Sequence, residues 1–182
     1  MALGGGPETG GVLKDEIERL HAASYAWALG CCRWNAEEAE EVLQTVYLKI
    51  LEGRARFEGR SSLKTWLFAV IRRTAAEGRR RRWLRALALG RWATARPGPA
   101  PLPDPEAQLK HAESSRALLA ALRALSARQR DVLHLVFYQD LTIDEAALVL
   151  GIAGGTARRH YERGKELLRR RLAEEDGDER RA

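Results

Sequence analysis

Cysteine is almost missing from this chain of 182 residues: Cys31 and Cys32 stand side by side and are the only two. Neighbours on a helix point about 100° apart, and two thiols alone do not make a metal site. The pair therefore reads as reduced, half-buried small side chains of a cytoplasmic protein, with no disulfide framework. The four histidines, His21, His111, His134 and His160, are scattered without metal spacing, and no Ser, His and Asp arrangement suggests a nucleophile. No metal, cofactor or active site is expected. Long apolar runs are also lacking. Nothing approaches the ~20 residues that cross a bilayer, so no membrane insertion is expected. The N-terminal MALGGGPETGG has no basic segment followed by an apolar core and reads as a tail rather than a secretory signal. No strand pattern and no repeat is evident, which leaves an all-α fold.

Proline is confined rather than absent. Five of the six prolines fall within ATARPGPAPLPDP, residues 93–105, a density that no helix interior tolerates and that keeps a chain extended. This predicts two small helical domains, residues 12–92 and 109–175, joined by a Pro-rich linker over 93–108. Net charge is +6 and the pI about 9.7, which favours an anionic partner. The positive charge is localised on either side of the linker. Residues 72–91 hold eight arginines and one glutamate, and residues 156–172 hold seven basic and two acidic residues.

Helical periodicity runs through the first domain. One helix is predicted over 14–30, with Ile17, Leu20, Ala23 or Tyr25, and Trp27 or Ala28 toward the core. Asn35 is placed to cap the next, because Glu38 follows three residues later. That helix runs to about Glu52, with Ala39, Val42, Leu43, Val46 and Ile50 in one buried stripe. GRARFEGRS, residues 53–61, reads as a polar loop, and Ser61 or Ser62 opens a third long helix through Trp66, Leu67, Val70 and Ile71 into the arginine run.

The second domain is more explicit. After a helix around 106–124, Ser126 and Gln129 have capping-box spacing and start a helix from Ala127 to Tyr138. LTIDEAALVLGIAGGTARRHYERGKELLRRRL, residues 141–172, then reads as helix, tight turn, helix. Thr142 and Glu145 make another capping box, and Gly151 supplies the left-handed stop. Gly154 and Gly155 keep the turn tight before a basic helix from Thr156 to Leu172. Such a helix fits a DNA major groove, where arginine pairs with guanine or phosphate. A plain helical hairpin with a solvated basic face uses the same residues.

Two further clusters carry chemistry. Glu37, Glu41, Gln44 and Leu48 lie at i, i+4, i+7 and i+11, opposite the buried stripe, with Glu38 and Glu40 flanking them. Four acids at 37–41 in a basic protein are either a solubilising face or a surface for a basic protein partner. Residues 57–83, FEGRSSLKTWLFAVIRRTAAEGRRRRW, combine a glycine loop, four aromatics and a dense arginine face. Aromatic faces beside cations suit single-stranded DNA, although Trp66 alone fits a core position better than a base platform.

These segments together resemble a bacterial RNA polymerase sigma factor of the extracytoplasmic-function type, a sigma-70 group, over about residues 16–85 and 112–172. EEAEEVLQTVYLKI resembles the segment that docks on the polymerase clamp helices, WLFAVIRRTAAEGRRRR the helix that reads the −10 promoter element, and LSARQRDVLHLVFYQDLTIDEAALVLGIAGGTARRHYERGKELLRRRL the domain that reads the −35 element. The resemblance implies a transcription initiation factor, not an enzyme, that binds core RNA polymerase through its clamp helices and flap, reads promoter DNA and aids duplex opening. It admits an anti-sigma factor as a third partner.

It also implies site residues: Glu37, Glu38, Glu41, Gln44 and Leu48 for polymerase; Phe57, Gly59, Arg60, Ser61, Ser62, Lys64, Arg72, Arg73, Glu77, Arg80 and Arg81 for the −10 element; Thr156, Arg158, Arg159, Glu162 and Arg163 for the −35 element. The sequence departs from the family pattern at Arg73 (usually asparagine), Glu77 (aspartate), Ala157 (valine), His160 (arginine or serine) and Tyr161 (leucine), which bears on promoter preference. A stand-alone helix-turn-helix repressor or activator is the alternative. The acidic face separates the two, since a repressor needs no polymerase-docking surface.

Overall fold

The computed structural model describes residues 7–88 and 121–179, so the predicted linker and the helix start near 106 lie outside the described residues. The chain divides into two compact units, Met1–Ala100 and Pro101–Ala182. Every described regular element is helical, as the lack of strand pattern predicts.

In the first unit, α1 (Pro7–Arg19) begins inside the stretch read as a tail, and α2 (His21–Cys31) follows. The predicted single helix over 14–30 is therefore two. At Leu20 (ψ 0°) the amide is shared between the carbonyls of Glu16 and Ile17, at 3.1 and 3.2 Å, which tightens the turn. No glycine or proline marks the break. The Ser24 amide then bonds the Leu20 carbonyl at 2.8 Å and the helix resumes.

A short reversal with positive φ at Arg33 and Trp34 leads into α3 (Ala36–Leu51), which Asn35 caps as expected by accepting the Glu38 amide at 2.9 Å. A cap of this kind contributes about 1 kcal/mol. Ala39, Val42, Leu43 and Val46 are buried and Ile50 is half-buried, so the predicted stripe holds. α4 (Leu63–Ala88) starts behind Ser62, whose hydroxyl accepts the Thr65 amide at 3.2 Å. Its Leu67, Phe68, Ile71 and Ala75 complete the core. Trp27 of α2 donates its indole N–H to the Phe68 carbonyl at 3.0 Å, and the two rings stack 6.1 Å apart. Because the buried indole has its polar atom satisfied, its burial is not offset by a lost hydrogen bond. The result is a three-helix body in which α3 packs on both α2 and α4.

In the second unit, residues 121–124 are helical, and Ser126 and Gln129 form the full capping box of α5 (Ala127–Leu133). The helix predicted to run to Tyr138 instead ends at Leu133 and passes into a π-helical turn, His134–Tyr138, closed by the Gln139 amide on the His134 carbonyl at 3.2 Å. α6 (Ile143–Leu150) opens on the Thr142 and Glu145 capping box and stops at Gly151, φ 63° and ψ 41°. There the Ile152 amide reaches back to the Ala147 carbonyl at 3.1 Å. α7 (Gly154–Glu179) starts two residues earlier than predicted and runs on past the predicted end at Leu172. Its Ala157 is fully buried, and Gly164 lies so close to α5 that a Cβ there would fall 2.9 Å from Leu133 Cδ1 and 3.3 Å from Gln129 Cβ.

Candidate nucleic-acid interface

The solvent face of α3 carries Glu37, Glu41 and Gln44, all exposed, and Leu48, 53% exposed. The burial of the opposite stripe fixes this orientation, because a helix that inserts 39, 42, 43 and 46 must turn 37, 41, 44 and 48 outward. Leu51 extends the face with 79% exposure and was not singled out in the sequence. Glu38 differs from its neighbours. It is half-buried on the edge toward α4, where Arg82 donates to its Oε2 at 2.6 Å and approaches the Glu41 carboxylate at 4.0 Å. The other end of this edge carries a second tie: Lys49 Nζ donates to Thr74 Oγ1 at 3.1 Å and to Glu77 Oε2 at 2.7 Å. Glu77, expected among the −10 residues, is thus engaged with α3.

The loop before α4 presents Gly59 (φ 70°) and Arg60 at the surface, with Ser61 half-buried and Ser62 exposed. Arg60 pairs with Glu58 at 3.0 Å, both largely exposed, and a pair of this kind contributes only ~0–1 kcal/mol, too little to keep Arg60 from a phosphate. Phe57 is half-buried against Trp66, ring centroids 5.5 Å apart. Ser62 is committed as the α4 cap and also shares a hydrogen bond with the Thr65 hydroxyl at 2.8 Å. Lys64 and Arg72 are half-buried, whereas Arg73 is exposed.

The arginine run splits by face. Arg79 donates to the Cys31 carbonyl at 2.7 Å, at the end of α2, and Arg82 turns to α3. Positions three apart share a helix face, so Arg80 and Arg81 are left pointing to solvent, both exposed. Four like charges in a row therefore do two jobs, and only the tertiary partners reveal which. Cys32 lies among these groups. Burial first, and the Glu38 carboxylate next, raise its thiol pKa to about 11, so it stays protonated and unreactive, while Cys31 is half-buried.

In the second unit, Thr156, Arg158, Arg159, Glu162 and Arg163 are all exposed on one side of α7, opposite buried Ala157 and Gly164. Thr156 occupies the third position of the helix and its amide is already taken by the Ala153 carbonyl at 2.9 Å. Its hydroxyl remains in the first turn, where helix N-termini favour anions. Beside this face, Tyr161 stacks on Phe137 at 5.8 Å, and Lys165 sits over the Tyr161 ring at 5.3 Å. The aromatic stack was not foreseen, because it needs the π-helical turn to bring Phe137 across. His134, in that turn, meets Gln139 Nε2 through its own Nε2 at 3.2 Å, and burial lowers its pKa to about 4. The neutral ring can accept there from the Gln139 amide.

Among the described residues there is no cluster of three or more His, Cys, Asp or Glu placed to hold a metal, and no helix long and apolar enough to cross a membrane.

Comparison with known proteins finds two matching family models. A family model described as Sigma-70 region 2 matches residues 17–85, and one described as Sigma-70, region 4 matches residues 115–168. The chain is 33% identical over 138 residues to the ECF RNA polymerase sigma factor SigX of Bacillus subtilis, covering 74% of this chain and 71% of that one. It is 31% identical over 141 residues to the RNA polymerase sigma factor CarQ of Myxococcus xanthus, covering 77% and 78%. Among solved structures it is similar to the sigma factor RpoE of Bartonella quintana, crystallised with the anti-sigma factor NepR, with a TM-score of 0.67 and 25% identity over 88% of this chain and 96% of that one.

Proposed function

Since the chain belongs to the sigma-70 family, in its extracytoplasmic-function group, we propose a division of labour among its surfaces that starts from the family's role in directing RNA polymerase to promoters. The chain is a transcription initiation factor. Its partners are core RNA polymerase and promoter DNA, and the relative crystallised with an anti-sigma factor points to a third partner of that kind. A stand-alone repressor is not favoured, because region 2 and region 4 occur together in this one chain. The family acts as initiation factors rather than catalysts, and we assign this chain no active site and no cofactor. It works where the polymerase does, in the cytoplasm.

We assign residues 12–92 to polymerase docking and the −10 element, 93–108 to the linker, and 109–175 to the −35 element. Docking falls to Glu37, Glu41, Gln44 and Leu48, with Glu38 at the edge. The −10 strand meets the loop from Phe57 to Lys64 and the exposed cations Arg73, Arg80 and Arg81, with Arg72 and Glu77 nearby. Aromatic and cationic groups suit unstacked bases and their backbone. The −35 duplex takes Thr156, Arg158, Arg159, Glu162 and Arg163 in its major groove.

The observation that supports docking most directly is the acidic face of α3, turned outward by its own buried stripe in a protein of net charge +6. A Glu37→Ala/Glu41→Ala/Gln44→Ala variant should fold normally and lose roughly 2–4 kcal/mol of affinity for core polymerase, as removal of several electrostatic contacts at one interface does. Unchanged affinity in an equilibrium binding assay would remove this assignment.

A further inference from the structure

The arginine that α4 turns inward ends on the face assigned to docking. Arg82 holds Glu38 at 2.6 Å and stands 4.0 Å from Glu41, while its near neighbours Arg80 and Arg81 face solvent on the same helix. Glu38 and Arg82 are both partly accessible, with side chains 31% and 38% exposed. A pair at this depth is screened by water and can be exchanged for other partners without leaving a charge buried. Two requirements therefore meet at one ion pair. A basic partner approaching Glu37 and Glu41 finds the nearby Arg82 repulsive and its carboxylates partly neutralised. DNA approaching Arg80 and Arg81 finds the next cation of the run already occupied.

We propose that the Glu38–Arg82 pair is a latch: Arg82 is a further promoter-binding residue, withheld by Glu38 in the free protein and released to a DNA phosphate when a basic surface of the polymerase takes that carboxylate. The coupling rests on the docking reading above. It works in both directions, because a ligand that favours one partner of the pair must favour release of the other. Arg79 is not part of the device. Its partner is the Cys31 carbonyl, a main-chain group that docking does not remove. Nor is the Lys49–Glu77 pair, whose cation is turned into the α3–α4 seam and is also held by Thr74. The latch thus singles out one arginine of four in the run, on the basis of the acid it holds.

The test measures binding of the free full-length chain to a fluorescent single strand carrying a −10 sequence, as a function of salt. Glu38→Gln keeps the shape of the side chain and removes its charge. It should tighten binding several-fold at low salt and steepen the log–log salt slope by about 0.7, the increment for one added phosphate contact on a single strand. Glu38→Gln/Arg82→Ala should lose that gain, and Arg82→Ala alone should bind like the parent. Glu40→Gln makes the same charge change on the same helix without touching the latch and should leave the slope unchanged. With core polymerase added, Arg82→Ala should bind promoter DNA with a slope shallower by about one contact. A Glu38→Gln gain that survives in the double variant, or that Glu40→Gln reproduces, overturns the latch, as does no gain at all. The docking reading fails separately, when loss of Glu37, Glu41 and Gln44 leaves polymerase affinity unchanged; the DNA measurements on the free chain do not depend on that result. Circular dichroism of Glu38→Gln guards against misfolding, and Glu38→Asp, which retains the charge on a shorter arm, must keep weaker DNA binding than Glu38→Gln for the latch to stand.

Discussion

The two units treat their positive charge in opposite ways. On α4 of the first unit, exposed Arg79 is hydrogen-bonded to the end of α2, half-buried Arg82 is paired with α3, and the facing acids Glu38 and Glu77 are bonded across the seam. On α7 of the second unit, Arg158, Arg159 and Arg163 stand on an exposed face whose backing is a small buried alanine and a glycine. The first arrangement makes part of the charge structural: altering it changes how helices sit as well as what they bind. The second separates the tasks, since capping boxes, Gly151 and the α5–α7 contact hold the fold and leave the arginines to the ligand. A basic helix by itself therefore says little about nucleic acid until the partners of each cation are known.

The largest expected effect breaks this comparison from the side of the second unit. His134 is held neutral, with its pKa lowered to about 4 by burial. Unfolded, a histidine titrates near 6.5, so between these values the unfolded chain binds the extra proton. Stability of the second unit is then fully present above about pH 6.5 and is lost as pH falls toward 4, by up to on the order of 3 kcal/mol. Denaturant titrations at pH 7.5 and 4.5 measure it, and His134→Gln should flatten the dependence.

Next in size is the basic face of α7. Arg158→Ala should cost roughly 1–3 kcal/mol in binding and relax preference at one or two base pairs, with stability unchanged. Arg170→Ala, about 18 Å further along the axis, should weaken all sequences alike. Selection of promoter variants with each mutant distinguishes them; altered preference only in Arg170→Ala would require a different docking of α7.

The smallest effect sharpens the contrast inside the first unit. Arg79→Ala loses a hydrogen bond to the last turn of α2 and should lower stability by about 0.5–1 kcal/mol. Arg80→Ala, which points to solvent, should leave unfolding within ~0.5 kcal/mol of the parent and weaken DNA binding instead. Equal stability losses in thermal unfolding would erase the distinction between an arginine tied to α2 and one turned to solvent.

What could be read in advance was local. Ser126 with Gln129 and Thr142 with Glu145 are capping signals complete within four residues and form in full, while Asn35 caps the Glu38 amide and the Glu38 carboxylate turns to Arg82 instead. The α3 stripe was legible for the same reason, since one helix face must be apolar. The all-α class and the family followed from the order of such segments. What escaped depends on contacts across the fold. Nothing near Leu20 announces a break. The bonds of Arg79 and Arg82 to neighbouring helices are invisible without Cys31 and Glu38 beside them. Gly164 offered a usable signal, a glycine inside a helix that otherwise favours helix formers, which is a reason to expect close packing there. The placement of individual side chains on polymerase or DNA is a matter for the partners themselves.

The π-helical turn His134–Tyr138 has a consequence for how the second unit tolerates a change in chain length. Such a turn is an α-helix that carries one residue too many, closed by a bond across five residues rather than four. Removing one residue would restore the regular ladder but rotate everything after it by about 100°. Phe137 would swing away from Tyr161, while the Thr142 cap, local to α6, would turn with that helix and change how it meets α5. Insertion or loss of a residue here would thus re-aim the pair of helices that follows against α5 in a single step.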